Sequence, residues 1–130
     1  MQMVDVTFER DGTTAVAIVT GEIDMSNAAS VRQQIAGYVT SDDDALIVDL
    51  SRLSFIDSAG LHGLIELGTV LREKRQRLLL CVSPGSSISR AIEIVGLSRN
   101  TAVHPDREAA MEAARASTAE RRPFPPGEEG

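Results

Sequence analysis

Residues 46–61 have the sequence LIVDLSRLSFIDSAGL, in which an apolar run stops at a polar turn and a helical pattern begins. Residues 45–50 are mostly Leu, Ile and Val, which predicts a strand buried on both faces, and residues 53–56 carry the chain to Asp57 and Ser58. Beyond this turn, small and apolar residues recur at positions 61, 64, 65, 68 and 71, which is helical spacing. We expect Asp57 or Ser58 to be the N-cap of this helix.

The Asp57-Ser58 pair has two interpretations. A capping side chain stabilises a helix by about 1 kcal/mol, which is sufficient reason for such a pair at a helix start. However, the carboxyl end of a parallel strand is also the edge of an α/β sheet where binding sites gather. Ala59 and Gly60 leave the first helical turn nearly bare, so a second backbone or a phosphate could approach it closely.

The composition indicates one globular domain that does not bind nucleic acid. The chain has 130 residues, of which 42% are hydrophobic, so it can bury about two-thirds of its unfolded surface. Only 3% of the residues are aromatic and the formal net charge is −6, so neither a stacking surface nor a basic patch for a phosphate backbone is expected. The expected partner is a protein that is basic or carries a nucleotide.

The single cysteine and the absence of a long apolar segment indicate the compartment. Cys81 has no partner for an internal disulfide, and its position in the apolar run 78–82 predicts a buried structural thiol. The sequence has no signal-peptide pattern and no apolar run near the roughly 20 residues of a membrane span. We therefore expect a cytoplasmic protein that does not enter a membrane.

The first part of the chain predicts a hairpin followed by a helix. Residues 3–9 and 14–20 are rich in β-formers and are separated by a turn containing Asp-Gly, while residues 21–25 are expected to break the second strand. Ser26 or Asn27 can cap the next helix, whose expected inward residues are Ala28, Val31, Ile35 and Val39. The acidic residues 42–44 are interpreted as a solvated loop.

The second part of the chain sets the fold class. The apolar run 78–82 predicts another strand, and strand, helix and strand over residues 46–82 form a parallel βαβ unit, so the fold class is α/β. A helix capped by Ser86 or Ser87 should follow, with Ile88, Ile92 and Val95 facing inward, then an edge strand at 101–104 and a last helix at 107–116. Residues 117–130 lack periodicity and are Pro-rich, which predicts a domain of residues 1–116 and a disordered tail.

Catalysis at the turn is disfavoured by the inventory of residues. A nucleophile elbow requires Gly-x-Ser-x-Gly, but Ile56 stands at the first glycine position, and His62 is expected to be a solvated imidazole on the polar side of the helix. A phosphoacceptor aspartate at Asp57 would need Mg²⁺ and a lysine after the last strand, whereas the only lysine, Lys74, lies on the central helix. We expect no enzyme, no metal and no cofactor.

Two motifs carry a resemblance to a known family. VDL at 48–50 followed by FIDSAGL at 55–61, with VTGEID upstream at 19–24, resembles the signature of the STAS domain of anti-sigma factor antagonists. The order and spacing match over roughly residues 4 to 115. The resemblance implies a single STAS-like domain with a mixed sheet of four or five strands and helices mainly on one face.

The resemblance also implies a regulated interaction. Ser58 would be phosphorylated, and the surrounding partner-binding residues would be Gly21, Glu22, Asp24, Asp57, Ala59, Gly60 and Leu61. The implied partner is an anti-sigma factor that is also a serine kinase using ATP, bound by the unphosphorylated antagonist and reset by a phosphatase; the free antagonist would be a monomer. Ala59 stands where many members have a second hydroxyl, so one acceptor remains. The alternative is a STAS scaffold of another signalling complex that is not switched by phosphorylation.

Overall fold

A computed structural model describes residues 3–121, with side chains described through residue 116. Five strands and four helices follow one another along these residues, with a short 3-10 turn before the last strand. They are β1 (Val4–Asp11), β2 (Thr14–Ile23), α1 (Ala28–Tyr38), β3 (Ala45–Ile56), α2 (Ser58–Glu73), β4 (Arg77–Cys81), α3 (Ser87–Ile94), the 3-10 turn (Leu97–Arg99), β5 (Ala102–His104) and α4 (Arg107–Arg121). The predicted α/β class is confirmed.

The strands form one mixed sheet in the order β1-β2-β3-β4-β5. β1 and β2 are an antiparallel hairpin, as the Asp-Gly turn predicts, and the other neighbours are parallel. Leu46 lies opposite Leu78, and Asp49 lies opposite Cys81, so the predicted parallel pairing of the two apolar runs is confirmed. β5 is the predicted edge strand.

β2 is longer than predicted and reaches the functional turn. The expected break at residues 21–25 is wrong for its first three residues, because β2 continues through Gly21 to Ile23 with two register shifts against β3. Gly21 has φ +105°, and a Cβ at this position would collide with the main chain of Met3. The glycine therefore bends the strand without ending it, and Ile23 lies opposite Ile56, the last residue of β3.

The helices lie on both faces of the sheet, with three on one face. Residues of α1, α2 and α3 share the larger core with β2, β3 and β4, which confirms the predicted layer. α4 packs on the opposite face, where Ala110 and Ala114 cover Val16, Ile47 and Leu79. None of the helices in the part of the chain described here is long and apolar enough to cross a membrane.

The helix boundaries agree with most of the expected caps. Ser86 caps α3, since its hydroxyl accepts a hydrogen bond from the Ser89 N–H at 3.1 Å. Asn27 precedes α1, but its side chain makes no capping bond and binds the loop before the helix instead. Val95 was expected to face the core but is exposed, because α3 ends at Ile94.

α4 extends beyond the predicted end of the last helix. The sequence pattern places that end at residue 116, whereas the helix continues to Arg121. The remainder of the predicted tail, residues 122–130, lies outside the described residues.

Residues 42–44 form the predicted loop, but Asp43 within it is not solvated as expected. Asp43 is only 4% exposed. Its carboxylate accepts hydrogen bonds from Arg10 Nε at 3.0 Å and Arg10 Nη2 at 2.8 Å, and a third from the Thr40 N–H at 2.8 Å. The Arg10 guanidinium also lies 4.4 Å from the centroid of the Tyr38 ring. β1 and the end of α1 are therefore joined through a side chain that sequence alone assigns to solvent.

The pKa of the Asp43 carboxyl is set by two opposing effects. Burial by itself would raise it, but hydrogen bonds from Arg10 and Thr40 and the charge of Arg10 outweigh burial, so the pKa is lowered. The ionised form of Asp43 is therefore favoured by folding.

We expect Asp43→Ala to destabilise the fold by about 2 kcal/mol, because a carboxylate with several charge-assisted hydrogen bonds is removed. The loss should not be larger, because Arg10 can still reach water after its partner is removed. Urea unfolding at pH 7 measures the change. Asp42→Ala is the matched control, since Asp42 is an exposed neighbour, and it should change stability by less than about 0.5 kcal/mol. Equal losses in both variants would contradict the structural role of Asp43.

The same carboxylate predicts a pH dependence. Because the pKa of Asp43 is lowered in the folded state, its stabilisation is present above the unfolded pKa of about 3.9 and is lost as the pH falls through the folded value. The stability difference between the wild type and Asp43→Ala should therefore shrink between pH 5 and pH 2. Urea unfolding across this range checks it, and a difference that stays constant would be inconsistent with this linkage.

Candidate functional site

Asp57 begins the central helix and determines the geometry of the turn. It is the N-cap of α2, with extended backbone angles, and its Oδ1 accepts a hydrogen bond from the Gly60 N–H at 3.1 Å. Its main-chain carbonyl accepts from the Leu61 N–H at 3.0 Å. Of the two residues that the sequence offered as caps, the structure therefore selects Asp57.

Asp57 also connects this turn to the loop that follows β2. Its second carboxylate oxygen, Oδ2, accepts from the Met25 N–H at 3.2 Å, and its own N–H donates to the Ile23 carbonyl at 3.2 Å. The two sequence motifs, which lie more than thirty residues apart, are thus brought together at the carboxyl edge of the sheet.

Ser58 is the first residue of α2 and is exposed. Its hydroxyl makes no hydrogen bond within the part of the chain that the structure describes, so it has no capping role. The first N–H groups of a helix have no intrahelical acceptors. Those of Gly60 and Leu61 are satisfied by Asp57, which leaves the N–H groups of Ser58 and Ala59 beside the exposed hydroxyl.

Asp24 supplies a second carboxylate in the loop between β2 and α1. Its Oδ1 accepts hydrogen bonds from the Ser26 N–H at 2.8 Å and the Ser26 hydroxyl at 2.5 Å. The hydroxyl bond from Ser26 is the main cause of a lowered pKa for Asp24, so this group is ionised at neutral pH. The Asn27 side chain fixes this loop, because its Oδ1 accepts from the Asp24 N–H at 3.0 Å and its Nδ2 donates to the Glu22 carbonyl at 3.0 Å.

The remaining residues of the predicted site differ in how deeply they are buried. Gly21 and Glu22 are half-buried at the end of β2, and the Gly21 carbonyl accepts from the Ser54 hydroxyl at 3.0 Å. Ala59 is half-buried, while Gly60 and Leu61 are buried under the first turn of α2. Asp24 and Asp57 are half-buried as well, so Ser58 is the one residue of the predicted site that is exposed.

Two exposed apolar side chains near the turn were not singled out from the sequence. Met25 is 83% exposed in the loop after β2, and Phe55 is 43% exposed near the end of β3. Strict alternation of side chains along β3 would place Phe55 on the core-facing side of the strand. Its exposure therefore depends on the bulges between β2 and β3. Exposed Met and Phe are typical of protein-binding surfaces, which adds an apolar component to the two carboxylates.

Two side chains that could support other chemistry, His62 and Cys81, are engaged or inert. His62 is exposed and its Nε2 pairs with Glu66 Oε1 at 2.8 Å, as expected for a surface imidazole on the polar side of α2. Cys81 is fully buried, and burial raises the pKa of its thiol to about 12, which agrees with the predicted structural role. Within the described residues, no three His, Cys, Asp or Glu side chains are grouped so that they could hold a metal ion.

The fold is shared with known proteins. The STAS domain family matches residues 6–110. An anti-sigma-B factor antagonist of Listeria monocytogenes is 32% identical over 90 residues, which cover 69% of this chain and 78% of the relative. A crystal structure of an anti-sigma factor antagonist from Mycobacterium paratuberculosis has a TM-score of 0.78 at 27% identity, covering 87% of this chain and 95% of that one. The Bacillus protein SpoIIAA in its phosphorylated form shares the fold, with a TM-score of 0.65 at 22% identity over 85% of this chain and 100% of that one.

These matches define a STAS domain. The chain belongs to the STAS-domain family of anti-sigma factor antagonists.

We expect Gly60→Ala to disturb the turn, because the added Cβ would lie 2.6 Å from Ile56 Cγ1 and 2.8 Å from Ile23 Cγ2. The strain should cost about 1–3 kcal/mol in urea unfolding. Gly63→Ala is the matched control on the same helix. Its Cβ would meet nothing closer than 4.0 Å, so it should be neutral or gain up to about 1 kcal/mol. A neutral Gly60→Ala would mean that α2 is not held against β2 and β3 at this point.

Proposed function

We propose that this chain is an anti-sigma factor antagonist whose binding is switched by phosphorylation of Ser58. The observation that carries the proposal is the exposed, unpartnered Ser58 hydroxyl at the start of α2, beside two carboxylates. Since Asp57 already caps the helix, the fold does not need the Ser58 hydroxyl. Ser58 can therefore serve a regulatory role without giving up a structural one.

A phosphate on Ser58 would be tolerated by the domain itself. It adds about −1.5 to −2 charges at a helix N-terminus, where free N–H groups and the helix dipole favour negative charge. The bare first turn, with Ala59 and Gly60, offers no side chain that must move. The modification should therefore leave the folded state nearly unchanged in stability.

Binding would respond differently, because the same charge would be enclosed by a partner. Asp57 and Asp24 already place negative charge on this surface, and Met25 and Phe55 give it apolar area to bury. A partner that packs on the surface would have to desolvate the phosphate next to like charges, which lowers affinity. Phosphorylation would thus release the partner without unfolding the antagonist.

The proposed partner is an anti-sigma factor with serine kinase activity. It would be sequestered by the unphosphorylated chain, freeing a sigma factor, and would use ATP to phosphorylate Ser58 and end the interaction. A phosphatase would restore the antagonist. The competing function is a STAS scaffold that binds its partner through the same surface without a switch.

We expect Ser58→Ala to bind the partner as the wild type does and to resist phosphorylation, because only the acceptor oxygen is lost. Ser58→Glu should weaken binding by about 1–3 kcal/mol, roughly 5- to 150-fold, while its melting temperature stays close to that of the wild type. Titration calorimetry against each purified anti-sigma kinase of the host measures the affinity, and mass spectrometry after incubation with ATP measures the phosphorylation.

Ser87→Glu is the matched control for this experiment. Ser87 is likewise the exposed first residue of a helix whose N-cap is the preceding residue, so the variant places the same charge in the same local geometry on α3. It should bind as tightly as the wild type. Two results together would contradict the switch hypothesis and favour the scaffold. They are unaltered binding by Ser58→Glu, and phosphorylation of the wild type at another residue or at no residue.

A further inference from the structure

We propose that His62 receives the phosphate of a phosphorylated Ser58, and that its imidazole leaves its present partner Glu66 to do so. The inference rests on the proposed function, because it concerns the same modification. Ser58 is the first residue of α2, and His62 lies four residues further along the same helix. Both residues are exposed, so a phosphate and an imidazole can meet there without displacing the core.

The geometry of α2 makes these two side chains neighbours. Residues four positions apart on a helix have about 5–6 Å between their Cβ atoms. The Cα–Cβ bond of each helical residue also tilts toward the helix N-terminus, so that of His62 tilts toward Ser58. Of the residues between them, Gly60 and Leu61 are buried and Ala59 carries only a methyl group. No longer exposed side chain therefore separates Ser58 from His62 along the helix.

The present pair of His62 is one that a phosphate can outcompete. His62 Nε2 lies 2.8 Å from Glu66 Oε1, and the two side chains are 70% and 44% exposed, so the pair contributes little. In this pair the base precedes the acid along the helix, which is the weaker orientation for residues four apart. A phosphate on Ser58 would precede the base, and it carries about −1.5 to −2 charges against the single charge of a carboxylate. A protonated His62 is therefore attracted more strongly to the phosphate than to Glu66.

Arg32 of α1 keeps Glu66 paired when His62 turns away. Arg32 Nε lies 3.3 Å from Glu66 Oε2, the carboxylate oxygen that His62 does not use. The Arg32 side chain passes Gly63, since a Cβ at Gly63 would lie 4.0 Å from both Cβ and Cδ of Arg32. Gly63 and Glu66 are both further from Ser58 along α2 than His62 is, so Arg32 is directed away from the phosphate. Of these two cationic side chains, His62 is therefore the one placed to bind it.

The exchange extends the effect of phosphorylation along the helix. The surface gains a phosphate and loses the pair between His62 and Glu66, so its charge pattern changes over two turns of α2. The charged groups around the new pair are Glu66 on α2, Arg32 on α1, Asp57 at the cap and Asp24 in the loop after β2. Imidazole and phosphate monoesters both change their charge between about pH 5 and pH 8, so the pairing depends on pH in this range.

A phosphorus NMR titration tests the pairing without a kinase. Phosphoserine is incorporated at residue 58 of the full chain during translation, and the phosphate resonance is followed between about pH 4.5 and pH 8. A neighbouring cation favours the dianionic phosphate, so its second proton should leave at a lower pH in the chain with His62 than in His62→Gln. We expect the two midpoints to differ by about 0.5 pH units, around an ordinary value of about 6.

Two further variants of the phosphorylated chain decide the result. His62→Arg keeps a cation at this position and should restore the lower midpoint, which a merely structural role of the imidazole would not do. Arg32→Gln is the matched control, because it removes the neighbouring cation that pairs with Glu66, and it should change the midpoint much less than His62→Gln does. Equal midpoints with and without His62, or a larger shift in Arg32→Gln than in His62→Gln, would overturn the proposal.

These outcomes are separate from those that test the switch. Because translation places the phosphoserine at residue 58, the titration does not depend on a kinase or on partner binding. The switch is tested by the calorimetry of Ser58→Glu, and the role of His62 by the phosphate midpoint. Either can therefore fail while the other holds.

Discussion

The site depends on one carboxylate, Asp57, whose two oxygens bind two different segments. Oδ1 completes the first turn of α2 through the Gly60 N–H, and Oδ2 holds the loop after β2 through the Met25 N–H. A single side chain therefore sets both the start of the helix that carries Ser58 and the position of the neighbouring acidic loop. A charge placed on Ser58 would therefore lie next to Asp57, the residue that holds the two segments together.

Two glycines allow the segments to approach closely enough for this carboxylate to bridge them. Gly21 lets β2 bend past Met3 and continue beside the end of β3, at a backbone angle that other residues rarely adopt. Gly60 lets the first turn of α2 rest directly on Ile23 and Ile56. Each motif thus combines a polar residue with a glycine that lets the neighbouring backbone approach it. The hydrogen bonds of the polar residue therefore depend on the close packing that the glycine permits.

The buried polar contacts of Asp43 and the proposed recognition surface lie at opposite ends of β3. At its start, the buried Asp43 carboxylate binds Arg10 and Thr40, and Gln76 binds carbonyls of the same loop. At its end, the exposed Ser58 hydroxyl makes no hydrogen bond within the described residues. This arrangement is compatible with the proposed switch, in which a charged modification at one end would change the affinity for a partner while the domain remains folded.

The sequence by itself determined the α/β class, the parallel pairing of the two apolar runs, the hairpin and the positions of the helices, because these follow from local periodicity and turn chemistry. It also indicated Asp57 and Ser58, but it could not decide which of them is the cap. Only the tertiary structure decided that, together with the burial of Asp43, the continuation of β2 through Gly21 and the exposure of Met25 and Phe55. Each of these depends on a partner far along the chain, such as Arg10 for Asp43 and Met25 for Asp57, and no local pattern encodes a contact between residues thirty positions apart.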